Sequence, residues 1–186
     1  MDTIQAIFSR HSITDLRPDP VPRSLVEQLL AAAVQAPNHY RVRPWRFVVL
    51  QGAALERLGD LFAEVLRDRK PDLPPAALEK ERAKALRAPL LLAVGVERCE
   101  DARVVPIENV CAVAAACENL LLAANALGLA GKWRTGSQAS DERIKTFLGL
   151  DPEQPLIGFF YLGYPAENQP PAGERPSFSD RTTWMG

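Results

Sequence analysis

Three polar clusters stand out in otherwise apolar surroundings. Arg10-His11-Ser12 places a guanidinium, an imidazole and a hydroxyl within one turn. Arginine forks onto phosphate oxygens and a hydroxyl both donates and accepts, so the triplet suits a phosphate followed by a polyol chain. A basic helix C-terminus favoured by the macrodipole accounts for the same residues. The second cluster, residues 35 to 45, reads QAPNHYRVRPW. Pro37 and Pro44 bracket a stiff loop holding His39, Tyr40, Arg41 and Arg43, more functional groups than a connector requires. The alternative is a solvated loop with Trp45 plugged into the core. The third cluster, Trp133-Arg134-Thr135, closes an apolar segment. An aromatic beside a cation and a hydroxyl can flank a planar ligand, whereas Trp133 taken singly reads as core. The GLAG turn ahead of it permits close backbone approach.

Other chemistries lack their residues. No GxGxxG follows a strand, and there is no GxxxxGK[ST], GxSxG or HExxH motif. Cys99, Cys111 and Cys117 form no CxxC pair, and His11 and His39 are the only histidines. Structural zinc frameworks, a metal site and a disulfide scaffold are therefore excluded, and the expected compartment is the reducing cytoplasm. The N-terminus turns polar within a few residues and offers no long apolar run of a signal peptide. With 22 Lys+Arg against 23 Asp+Glu, no surplus of positive charge points to nucleic acid or an anionic membrane. The 186 residues, 47% hydrophobic, are enough for one domain with a real core.

The elements that must position these clusters follow from periodicity. Ile4, Ile7 and Phe8 predict a short helix over 2 to 9 that delivers Arg10, His11 and Ser12 at its C-terminal end. Ser24 and Glu27 read as a capping box for a helix over 24 to 35, ended by Pro37. RFVVLQ is a strand. Leu55, Leu58, Leu61, Phe62 and Val65 share one face of a helix over 53 to 69. Residues 76 to 87 form a charged helix with a solvated face, or part of a mobile flap. PLLLAVGVE is a strand buried on both faces. Residues 106 to 128 are long enough to span a membrane, but Glu108, Asn109, Glu118, Asn119 and Asn125 interrupt them, so a buried central helix is expected. Its CAVAAAC run allows another helix to approach closely, from this chain or from a second subunit. LAGKWRT is a short strand, Ser140 caps a helix through Leu148, and LIGFFYLGYP is the clearest strand. After Pro165 the chain has little to bury and is either disordered or wrapped around a partner.

Taken in order, the RHS triplet, QAPNHYRVRPWRF, RAPLLLAVGVE, AANALG, GKWRTG and LIGFFYLGYP resemble the nitroreductase family of FMN-dependent oxidoreductases, most of all its small YdjA-type branch. These motifs cover nearly the whole chain. The resemblance implies a single α+β domain over 1 to 186 with a central, mostly antiparallel sheet flanked by helices. It also implies an intertwined obligate homodimer, with FMN in clefts at the interface and residues 166 to 186 as an extended tail embracing the partner. Carried over by position, Arg10, His11 and Ser12 hold the FMN phosphate, ribityl chain or ring edge. Gln35 and His39 contact the flavin of the other subunit, and Trp133, Arg134 and Thr135 complete the site. The helix end Ala123, Ala124, Asn125, Ala126, Leu127 and Gly128 resembles a segment associated with the nicotinamide nucleotide. The chain departs from the family at Asn38, Arg41 and Arg43, where many members carry Ser, Asn and Gln, and at Gln35, where the YdjA-type branch carries Arg.

The implied activity is ping-pong transfer of hydride from NADPH or NADH, through flavin N5, to a small acceptor such as a nitroaromatic or quinone. A flavin carries the redox chemistry itself, so no side-chain acid, base or nucleophile is required. A protein that stores, senses or delivers FMN without turnover needs the same binding clusters and is the alternative.

Overall fold

The computed structural model describes residues 1–169 and 172–186. Its elements run α1 (Thr3–Ser9), α2 (Arg23–Ala33), a 3-10 turn (His39–Arg41), β1 (Trp45–Leu50), α3 (Ala53–Arg69), α4 (Pro75–Arg82), β2 (Leu90–Val96), α5 (Pro106–Ala126), β3 (Ala130–Arg134), α6 (Glu142–Phe147) and β4 (Leu156–Gly163). A second 3-10 turn lies in the tail (Ser179–Arg181). The four strands form one sheet in the order β1-β2-β4-β3, and every neighbouring pair is antiparallel.

β2 shows why the sheet is central. All seven of its residues are buried, and strand alternation sends them to two separate cores. Leu90, Leu92, Val94 and Val96 pack with α2 and α5, through Leu29, Val113, Cys117 and Leu120. Leu91 and Ala93 pack on the opposite face with Leu55, Leu58, Phe62 and Val65 of α3 and Ile144 of α6. Each fully buried leucine contributes about 2 kcal/mol of transfer free energy. β4 repeats the pattern, with Phe160 and Leu162 on one side and Phe159 and Tyr161 on the other. The Phe62 and Phe159 rings meet edge to face at 5.7 Å.

The apolar α5 is the central helix expected from its polar interruptions. Its small-residue run faces a neighbour in the same chain: α2 packs against it, and Asn119 Nδ2 donates to Ala32 O at 3.3 Å.

Some local expectations change. α2 begins at Arg23 with Pro22 as its N-cap. The fixed φ of proline starts the helix early, so Ser24 falls inside it and Glu27 pairs with Arg23 at 2.7 Å instead of closing a capping box. The cap of α6 is Asp141, whose carboxylate accepts from Arg143 N–H; Ser140 turns back to Ser137 O. α4 stops at Arg82 and gives way to turns, because the chain must be extended ahead of Pro89 to enter β2. The chain leaving β4 is half-buried and tied down by the Leu16–Pro165 bridge, and residues 172–186 are exposed. Pro170 and Pro171, part of the segment expected to embrace a partner, lie outside the described residues.

Candidate functional site

β3 lies at the sheet edge, which leaves one side of its backbone without a strand partner. The chain leaving α1 runs along that strand: Ile13 donates its N–H to Gly131 O at 3.1 Å. Arg10-His11-Ser12 therefore lies at the beginning of β3 and Trp133-Arg134-Thr135 at its end. The five residues of the strand span about 16 Å.

The first half of the site is set by helix ends. Asn125 of α5 fixes α1, its Nδ2 donating to Ala6 O at 3.1 Å and to Ser9 Oγ at 2.8 Å. Arg10 caps α1 in extended conformation. Its buried Nε lies 3.4 Å from Glu118 Oε1, within ion-pair range but without hydrogen-bond geometry, and so has no hydrogen-bond partner. His11 Nδ1 sits 3.1 Å from Ser9 O, a contact that needs the proton on Nδ1. Among the described residues, His11 Nε2 is buried without a hydrogen-bond partner. Two adjacent residues thus hold buried polar atoms that nothing among the described residues bonds, which is rare and costly in a folded chain. Ser12 is exposed beside them. From the tail, Arg175 donates to Arg10 O at 3.1 Å and brings a second guanidinium to this end.

At the other end, strand alternation separates the cluster. The Trp133 indole goes into the α5 side of the core, donating to Ile157 O at 3.1 Å and packing 5.1 Å from the Phe160 ring. Gly158 makes this possible: a Cβ there would stand 2.5 Å from indole Nε1, and its φ is +152°. Arg134 turns to the opposite face together with Lys132. They line a cavity of about 320 Å³ with Thr135, Lys84, Gln138 and Tyr161, and part of Trp133 still reaches its wall. A recess lined by Ile13, Thr14 and Arg87 shares Lys132, Arg134 and Tyr161 with it.

The cavity is cationic. Lys84 pairs with Glu81 at 2.5 Å. Among the described residues, Arg87, Lys132 and Arg134 have no carboxylate within ion-pair distance. Burial pushes the Tyr161 phenol above its ordinary pKa, with Arg134 and Arg87 opposing the shift. The residues present fit an elongated anionic cofactor: donors for a phosphate and an acceptor nitrogen for a hydroxyl at one end, and cations around a cavity at the other.

Lys84, Arg87, Lys132, Tyr161 and Arg175 were not among the sequence candidates. Lys132 was within reach, because residues 132 and 134 of a strand share a face. Lys84 sits in a charged segment that reads as solvated, and Arg175 in a tail without periodicity.

The remaining candidates lie elsewhere. His39 Nδ1 is 3.5 Å from Glu108 Oε2 in the first turn of α5, ten residues from Glu118 and so about 15 Å along the helix from Arg10. Gln35 bonds back to Ala31 O at 3.2 Å. The chain alone does not bring Gln35 and His39 to the β3 edge. The His39 loop is strained, with positive φ at Tyr40, Arg41 and Arg43, and the Arg103 guanidinium stacks on Tyr40 at 4.4 Å. In the 123–128 segment Ala124 is core, Asn125 holds α1, and Gly128 ends the helix at φ +77° with Ala123, Ala126 and Leu127 around it.

Residues 7–164 match the sequence profile of the nitroreductase family. The chain belongs to the nitroreductase family. Among nitroreductases, YdjA of Escherichia coli (strain K12), which carries the name NAD(P)H nitroreductase, is 30% identical over 167 residues, 89% of either chain. The nitroreductase-like family protein of Bacillus cereus superposes with a TM-score of 0.81 at 23% identity, over 100% of this chain and 96% of the other. An FMN-bound nitroreductase of Bacteroides fragilis superposes with a TM-score of 0.75 at 21% identity, over 100% of both. The expected α+β nitroreductase fold is the observed one.

Proposed function

We propose that this nitroreductase-family chain is an FMN-dependent NAD(P)H oxidoreductase working as a cytoplasmic homodimer. The observation that carries the reading is the pairing of unbonded buried atoms on Arg10 and His11 with uncompensated cations on Lys132 and Arg134, all along one edge strand. The FMN bound in the Bacteroides fragilis relative and the name of the Escherichia coli relative support it.

In this reading Arg10 and Arg175 hold the phosphate, and His11 Nε2 and Ser12 take ribityl hydroxyls. Arg134, Lys132 and Lys84 surround the ring, where a cation favours the negative charge of the reduced state. When bound, FMN supplies the two-electron chemistry, taking hydride from NADPH or NADH and passing it, in ping-pong order, to an acceptor such as a nitroaromatic or quinone. The protein binds, orients and excludes water. Gln35 and His39, remote from this edge within one chain, serve the partner's flavin. The three free cysteines accord with a reducing compartment.

The test is the visible spectrum of the purified protein before and after anaerobic addition of NADPH or NADH. Flavin bands that bleach with nucleotide and return with a nitroaromatic or quinone are expected. Bound flavin that stays oxidised under both nucleotides favours storage or delivery of FMN. A colourless protein whose spectrum ignores added FMN overturns the cofactor assignment.

A further inference from the structure

One carboxylate stands directly behind the lining of the cationic cavity. Glu81, near the end of α4, is only 7% exposed. It accepts a hydrogen bond from Lys84 Nζ at 2.5 Å and another from Gln138 Nε2. Both donors line the cavity, so Glu81 is joined to it through the two side chains that face it. Burying an ion pair is a poor way to stabilise a fold, because desolvation offsets the attraction. Neither neighbour requires an acid: Lys84 is partly exposed, and a glutamine amide finds neutral acceptors readily. What the carboxylate changes is the charge that Lys84 presents to the cavity.

We infer that Glu81 is a positioning residue that acts through Lys84 to hold down the reduction potential of the bound cofactor. The inference rests on the FMN reading above. Reduction places negative charge on the flavin, which a neighbouring cation stabilises. With Glu81 bonded to it, Lys84 is held in place and part of its field is cancelled. Arg134 and Lys132, without a carboxylate partner among the described residues, leave the cavity positive enough to bind an anion.

The experiment is an anaerobic redox titration of the FMN-loaded protein against a reference dye, with the oxidised FMN affinity measured by fluorescence quenching. In Glu81→Gln the ratio of reduced to oxidised FMN affinity is expected to rise about tenfold, an upward shift of about 30 mV for a two-electron couple. Lys84→Gln lowers the ratio. In the double variant the Glu81→Gln effect shrinks to less than about threefold, since the cation it acted through is gone. A ratio within about twofold of wild type in Glu81→Gln overturns the proposal, as does an undiminished effect in the double variant. If Glu81→Gln does not fold, Glu81→Asp withdraws the charge from Lys84 by one methylene. A smaller rise of the same sign is then expected, and no rise overturns the proposal. Wild-type protein that takes up no FMN removes the cofactor reading and this inference together; protein that binds FMN with an unmoved ratio removes this inference alone.

Discussion

Arg10 is the side chain on which the proposed phosphate contact rests. Its Nε is withdrawn from water and held near Glu118 without a hydrogen bond, so the guanidinium is oriented but not satisfied. A charge-assisted bond to a phosphate is worth about 1.5–3 kcal/mol. Arg10→Ala is therefore expected to weaken FMN roughly 10- to 150-fold in a fluorescence titration; an unchanged titration removes Arg10 from the phosphate site. Cys117 is the opposite case, a group made inert by its surroundings. Burial, with a smaller effect from Glu118, pushes its thiol up to about 12. Thiol reagents at neutral pH should label exposed Cys111 and leave Cys117 untouched until the protein unfolds. The unfolded thiol ionises near 9 and the folded one does not. Stability is thus lost as pH rises from about 9 towards 12, and Cys117→Ala should flatten that part of a melting-temperature profile.

At the scale of elements, β3 and its neighbour β4 decide the site. Trp133 and Arg134 are adjacent in sequence but are sent to opposite faces, the indole across Gly158 into the core and the guanidinium into the cavity. A Cβ at position 158 would also lie 2.6 Å from Arg134 O. Gly158→Ala should cost about 2–3 kcal/mol in urea unfolding and weaken FMN as well, because it displaces the strand that carries the cavity wall. Normal stability and normal FMN binding in that variant would mean that the indole can repack. The sequence made α3 legible through its apolar period, and β2, β4 and α5 through apolar runs of strand or helix length, since an element buried on both faces leaves a continuous trace and one buried on a single face a periodic one. Helix starts were less legible: Asp141 took the capping place expected of Ser140, because either neighbour can satisfy the same N–H group, and Pro22 starts α2 early through its fixed φ with no side-chain cap at all.

At the scale of the molecule, apolar surface is left over. Phe8 of α1 is 79% exposed, and Trp184 and Met185 of the tail are 86% and 93% exposed. Large exposed apolar groups on several segments are what the proposed homodimer would have to cover. Removing residues 166–186 is expected to weaken dimerisation at least tenfold in sedimentation velocity and, through loss of Arg175, to lower FMN affinity. A truncated dimer of unaltered melting temperature would show that the tail is dispensable for assembly. The sequence by itself determined the family, the order of its elements and the clusters at 10–12 and 133–135, because apolar period and local residue type are properties of the chain. Only the tertiary structure decided that those two clusters lie along one edge strand, that the Trp133 indole packs against Phe160, and that Lys84 and Tyr161 meet at its cavity with Glu81 behind Lys84. Such meetings depend on which strands pair and which face each residue takes, and no local pattern records that.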